Sequence, residues 1–327
     1  MGEFELIERV FARRAAAVPP RAGIALGIGD DCALLAAPPP ETQLAVSTDM
    51  LVEGRHFFPE VAPNALGHKA LAVNLSDLAA MGAEPLAFTL ALALPPERAR
   101  DADWLDAFAD GLMALAQAYR CALIGGDTTA GPLAISITVF GYLPRGQALR
   151  RDGARAGDDL WVSGALGDAR LALEALRNRI VLSPAQQAQA RQRLERPTPR
   201  IALGQALRGV ASSCIDLSDG LAGDLGHVLH ASDVGARINA DVVASLLQTP
   251  APVTAQQRYA YTLAGGDDYE LIFTAPPNRR AQVETAARQA ATPVTRIGGI
   301  TAMPGLALHD AAGRALAGSF AGFDHFA

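Results

Sequence analysis

Lysine is nearly missing from this chain. Among 327 residues there is one, Lys69, set between His68 and Ala70, and arginine supplies the rest of the basic side chains. A Walker loop needs lysine inside Gly-Lys-Ser/Thr, so phosphate capture by a P-loop is excluded. No Gly-x-Gly-x-x-Gly follows a strand pattern, which removes a Rossmann fingerprint as well. Cysteine is scarce too: Cys32, Cys121 and Cys214 are odd in number and widely spaced. Neither a disulfide framework nor a zinc site follows, and a reducing cytoplasm is the expected setting. No apolar run approaches the roughly 20 residues of a membrane-spanning helix, so no membrane partner is expected. The opening Met1-Gly2-Glu3-Phe4-Glu5-Leu6 is acidic and lacks the basic-then-apolar order of a signal peptide. Net charge is −6, which argues against a nucleic-acid partner.

What is present is globular material, 50% apolar and 19% charged, long enough for two domains with a core in each. The texture changes at Arg150-Arg151-Asp152-Gly153-Ala154, so residues 1–149 and 150–327 are expected as separate domains. Apolar spacing predicts helices over 3–14, 64–80 and 101–119 in the first, and over 168–177, 183–194, 201–207 and 221–232 in the second. Short strands are expected at 24–28, 32–36, 44–46, 160–162 and 271–274. The runs 86–94 and 133–142 are apolar enough to predict strands covered on both faces. The first half therefore reads as α+β, a sheet flanked by two long helices. Each half also has a short strand ending in acid and hydroxyl residues, then a helix, then a Gly-Gly-Asp turn. Two similar α/β units are a plausible reading of that echo.

The chemistry gathers around acid clusters. Val46-Ser47-Thr48-Asp49-Met50 closes an apolar run and reads as a buried strand ending on two hydroxyls and a carboxylate. Gly29-Asp30-Asp31, Asn74-Leu75-Ser76-Asp77 and Gly125-Gly126-Asp127-Thr128-Thr129 are similar, and Asn74 and Asp77 share a helix face. Each cluster alone has a plain explanation as a turn or a helix cap. Together they are costly unless cations compensate them, and oxygen ligands of this kind select hard cations such as Mg²⁺. Without a P-loop, a nucleotide's phosphates would be held by bridging metals, helix N-termini and arginine.

Gly27-Ile28-Gly29-Asp30-Asp31, Ser47-Thr48-Asp49-Met50, Asn74 to Ala83, Ile124-Gly125-Gly126-Asp127-Thr128-Thr129, Ile215-Asp216-Leu217-Ser218-Asp219-Gly220-Leu221, Gly265-Gly266-Asp267-Asp268-Tyr269-Glu270-Leu271 and Gly322-Phe323-Asp324-His325-Phe326 resemble the thiamine-monophosphate kinase family. The likeness runs in order over almost the full chain. It implies the two-domain architecture of the aminoimidazole-ribonucleotide-synthetase superfamily. In that architecture the N-terminal sheet pairs in a homodimer, and a C-terminal α/β domain completes the nucleotide and substrate site. It implies transfer of the ATP γ-phosphoryl group to thiamine phosphate, with several Mg²⁺ ions and room for K⁺ as an assisting cation. Carried over by position, Asp30, Ser47, Thr48, Asp49, Asp77, Asp127, Asp216 and Asp219 match metal-site residues. Gly126, Asp127, Arg151 and Ser218 match nucleotide contacts, and His56, Asp267 and Phe323 match the substrate side. Asp267 stands where glutamate is common in the family. No general base is assigned, because the attacking phosphate oxygen is already anionic.

Sister activities fit less well. A selenophosphate synthetase would need a reactive cysteine with a lysine nearby, and Cys32 has none beside it. A carbamoyl dehydratase of hydrogenase maturation would carry a C-terminal cysteine, where this chain reads Phe323-Asp324-His325-Phe326-Ala327. A nucleotide-binding scaffold without turnover would be expected to lose some ligands, and every motif acid is present.

Overall fold

The structure, a computed structural model, describes residues 3–17 and 22–316. The chain divides into two compact units. Residues up to Leu78 with Ala83–Gly146 form one; Ala79–Gly82 with residues from Gln147 onward form the other.

In the first unit a hairpin of β1 (Ile24–Leu26) and β2 (Leu34–Leu35) precedes a four-stranded sheet. The sheet comprises β3 (Thr42–Val52), β4 (Glu84–Leu94), β5 (Ala122–Ala130) and β6 (Ala134–Pro144), in the order β3-β6-β4-β5. Two helices, α1 (Pro63–Ala80) and α2 (Ala102–Ala118), provide the cover that the apolar strands need. They meet backbone to backbone. A Cβ on Gly67 would lie 2.0 Å from Phe108 O, and one on Gly111 would lie 1.9 Å from Asn64 O. Any larger residue there would force the helices apart. The N-cap of α2 is Asp101, which accepts the Trp104 N–H at 3.0 Å. The N-terminal helix changes pitch, with a π segment over Ile7–Ala12 between two α turns. Arg14 ties it to α2 through Asp106 and Asp110 at 3.1 and 3.0 Å.

Three expectations are corrected here. The opening strand is an eleven-residue edge strand, and Ser47-Thr48-Asp49 lies inside it rather than at a buried end. Strand β5 likewise runs straight through Gly125-Gly126-Asp127-Thr128-Thr129 where a turn was expected. Among the described residues, cover on both faces also fails. Strand β6 alternates buried and half-buried residues along its whole length, as one covered face requires. On the other face the hairpin shelters one end, where Ile24 and Leu35 pack on Ala87, Phe140 and Tyr142. Beyond it Leu44, Val46 and Met50 stay 42–57% exposed.

The second unit is built on a six-stranded sheet, order β12-β9-β11-β7-β10-β8, antiparallel except for β12 beside β9. Its strands are β7 (Asp159–Ser163), β8 (Ser213–Asp216), β9 (Gly235–Asn239), β10 (Leu271–Ala275), β11 (Val294–Thr301) and β12 (Gly305–His309). Helices α3 (Asp168–Leu176), α4 (Pro184–Glu195), α5 (Ile201–Ala206), α6 (Leu221–Ser232), α7 (Ala255–Ala264) and α8 (Arg280–Gln289) surround it. Strands β7, β8 and β10 are buried throughout, as befits the unit's central core. Among the described residues no helix is long and apolar enough to cross a membrane.

Candidate functional site

Strand period decides which acids of the first unit can meet. Successive residues of β3 point to opposite faces. Ser47 and Asp49 face α1, where the Ser47 hydroxyl donates to Asp77 Oδ2 at 2.5 Å. The Asp49 N–H donates to Asn74 Oδ1 at 3.0 Å, and the Asn74 amide in turn donates to Ala70 O at 2.9 Å. Asn74 thus satisfies a backbone group on the open edge of β3 and fixes the strand against the helix. Thr48 points the other way and shares a hydrogen bond with Thr138 at 2.8 Å. Its side chain is not part of the Ser47–Asp49–Asp77 group.

Asp127 is separated further. Its register partner Ala91 pairs with Ser136, which pairs with Met50, so Asp127 shares the face of Thr48. It lies on β5, at the far edge of the sheet from β3. Three strand spacings of about 4.8 Å put these edges roughly 14 Å apart, too far for a shared ion. Gly126 sits where a Cβ would come 1.9 Å from Leu90 O, so close packing already requires glycine there. Asp30 is exposed in the hairpin loop and accepts the Asp31 N–H at 2.8 Å. His56 Nδ1 accepts the Val52 N–H at 3.0 Å.

In the second unit Asp216 ends β8, buried, and the following turn carries Ser218 and Asp219. The N–H groups of Ser218, Asp219 and Gly220 all donate to Asp224 Oδ2, at 3.0, 3.0 and 3.1 Å. Burial pushes the Asp224 carboxyl up to about 7, against the pull of those three donors. The neighbouring turn carries Asp267 and Tyr269 in left-handed backbone, φ 67° and 49°. It is locked to the first by Asp267 N–H to Ser218 O at 2.9 Å and Tyr269 N–H to Leu217 O at 2.7 Å. Asp268 is buried and accepts the Gly167 N–H; burial pushes its pKa well above the ordinary range. Glu270, fully buried, takes Arg193 at 2.6 Å, Arg200 at 2.5 Å and the Ser163 hydroxyl at 2.6 Å. Burial pushes its carboxyl up, but the hydrogen bonds and charge of Arg200, with Arg193, outweigh this and hold it below its usual value. Arg151 sits exposed on a single 3-10 turn and makes no ion pair among the described residues.

Comparison with known proteins decides the family. The description "AIR synthase related protein, N-terminal domain" matches residues 29–143, and the C-terminal domain of the same description matches 155–311. The thiamine-monophosphate kinase of Salmonella typhimurium is 48% identical over 100% of this chain and 98% of its own length. The chain belongs to the thiamine-monophosphate kinase family. A crystal structure of a family member from Stenotrophomonas maltophilia K279a superposes with a TM-score of 0.84 at 46% identity, covering 94% of this chain and 96% of that one. A structure of AaThiL complexed with AMPPCP and TMP does so at 0.74 and 28%, covering 99% and 97%.

Against the family pattern, the structure brings Ser47, Asp49 and Asp77 to one face and Asp216, Ser218, Asp219 and Asp267 to adjoining turns. Phe323 lies outside the described residues. Among the described residues no three His, Cys, Asp or Glu side chains form a ready-made metal cage. The donors present still fit Mg²⁺, because it usually keeps waters and binds one or two carboxylates together with substrate phosphates. Their hydroxyl and carboxylate oxygens are the hard donors that it selects. Sequence reasoning missed Asp224 and the Arg193–Glu270–Arg200 group. For Asp224 the signal was an acid on the apolar face of a predicted helix, four to six residues beyond the motif.

Proposed function

We propose that this chain transfers the γ-phosphoryl group of ATP to thiamine phosphate, giving thiamine diphosphate, the last step in making that cofactor. The observation that carries this is the full-length kinase match together with motif carboxylates left uncommitted. Asp127 and Asp219 carry no hydrogen bond or ion pair on their side chains among the described residues. Asp49 and Asp77, set with Ser47 on one face, would hold Mg²⁺; Asp30, Asp127, Asp216 and Asp219 would supply further oxygen ligands. When bound, Mg²⁺ supplies positive charge on the phosphate oxygens. The protein's own part is positioning. Asn74 fixes the β3 edge against α1, and Arg151, Ser218 and Gly126 are assigned to the nucleotide. His56, Asp267 and Phe323 are assigned to thiamine phosphate.

The reading includes a homodimer formed through the first unit, in the cytoplasm. The exposed Leu44, Val46 and Met50 support it, as does the long edge of β3, which has no strand partner among the described residues and would otherwise invite aggregation. The separation of Asp127 from Asp49 supports it too, since a second copy could supply from its own β5 the acid that one chain holds out of reach. ADP release measured with thiamine phosphate, with thiamine, and without Mg²⁺ tests the activity. Turnover with thiamine phosphate only, abolished by chelation, is expected. Nucleotide hydrolysis indifferent to thiamine phosphate would refute it. Light scattering at micromolar concentration tests the assembly, and a strictly monomeric mass would refute the dimer.

A further inference from the structure

The turn ahead of α6 reverses the usual logic of a phosphate cradle. A helix N-terminus after a tight turn ordinarily offers its N–H groups and positive dipole end to an anion. Here three successive N–H groups, from Ser218, Asp219 and Gly220, converge on one oxygen of Asp224. Asp224 belongs to the first turn of α6 and is 3% exposed. The nest of donors is therefore filled by a side-chain oxygen that the chain itself provides. The opposite side of the turn is held by Asp267 and Tyr269 through their N–H bonds to Ser218 O and Leu217 O. Three N–H groups and two carbonyls of the turn are thus committed within the fold.

We infer that Asp224 is a positioning residue. By filling this nest it holds Ser218 and Asp219 to meet a metal-bound nucleotide, and it keeps phosphate oxygens out of the backbone donors. The inference rests on the kinase reading above, so its test uses binding as well as turnover. Calorimetry on the full chain would measure AMPPCP with Mg²⁺, and inorganic phosphate without it, for wild type, Asp224→Ala and Asp224→Asn. Asp224→Ala should weaken the Mg²⁺–analogue complex about tenfold or more, the usual consequence of orphaned buried donors. It should leave the KM for thiamine phosphate within about twofold and let inorganic phosphate bind the freed nest. Asp224→Asn keeps an oxygen acceptor in place and should recover the analogue to within about threefold of wild type. Wild-type analogue affinity in Asp224→Ala with only a lower Tm would overturn the inference. So would equal losses for both substrates, or no rescue by asparagine. Should the alanine variant fail to fold, Asp224→Glu decides. Its displaced oxygen should weaken the analogue severalfold, and unchanged affinity would overturn the idea. A wild-type chain that binds the Mg²⁺–analogue complex without phosphorylating thiamine phosphate would sink the kinase reading and leave this inference standing.

Discussion

The two units hold their acids by different means. In the first, Ser47, Asp49 and Asp127 ride on strands, where the ladder fixes the face of each side chain. In the second, Asp216, Ser218, Asp219 and Asp267 lie at or on turns, one of them with two non-glycine residues in left-handed backbone. Such turns persist only where the surroundings over-determine them. That surrounding is a layer of buried acids with partners of their own: Asp224 on three N–H groups, Asp268 on Gly167, and Glu270 between Arg193 and Arg200. Acids with internal partners frame the turns; Asp127 and Asp219 make no side-chain hydrogen bond or ion pair among the described residues.

The frame is where the largest effect is expected. Glu270→Ala removes the buried carboxylate that Arg193 and Arg200 share, which should cost about 3–5 kcal/mol of stability. Thermal melting would detect it, and a loss under about 1 kcal/mol would break the contrast between framing acids and the others. Glu270 also predicts a pH dependence. Its pKa is lowered in the fold, so its contribution is fully present above the ordinary glutamate value near 4.3 and is lost as pH falls through the folded value. Wild type should therefore lose Tm more steeply than Glu270→Gln below about pH 4.

Asp49→Asn should do the reverse. Turnover should drop about 10²-fold, as when a key electrostatic group is lost, with Tm nearly unchanged. Wild-type-like turnover would show that the strand acids are not the ligand set. Phe323→Ala comes next. If the ring stacks on the substrate, as the family resemblance implies, the KM for thiamine phosphate should rise about tenfold while that for ATP stays put. Equal losses, or a Tm several degrees lower, would favour a docking role for the tail. The smallest effect sharpens the strand argument itself. Thr48→Val should change turnover by no more than about twofold, whereas Ser47→Ala, one residue away on the other face, should reduce it clearly. Equal losses would mean that the Thr48 side chain reaches the ligands despite its face.

Much of this was readable from residue order. The motif acids, the missing P-loop lysine and the long helices over 63–80 and 102–118 are local patterns. Periodicity and turn chemistry report such patterns directly. Strands β9, β11 and β12 were not readable. Gly235–Asn239 is short, and Val294–Thr301 carries Gly298-Gly299 in its middle, so neither shows a two-residue alternation. Both become strands because neighbours supply ladder partners. Helices α7 and α8 were likewise passed over, and the first is marked by a Thr254–Gln257 capping box that the sequence did contain.

The sequence by itself determined which residue types are available: many hard oxygen donors, one lysine, and glycines and hydroxyls at fixed offsets from the acids. Only the tertiary structure decided which of them act together. Ser47, Thr48 and Asp49 are adjacent in the chain, yet the strand period sends the middle side chain to the opposite face. Asp49 and Asp77 are distant in the chain, yet α1 lies against β3 and brings them to one side. Nothing in the order of residues tells what Asp224 and Glu270 bond to. The fold gives one three backbone donors and the other two guanidinium groups, and so makes them the supports of the turns. Sequence order fixes chemistry residue by residue, but the sharing of a ligand depends on distance and direction, and these exist only once sheets and helices have packed.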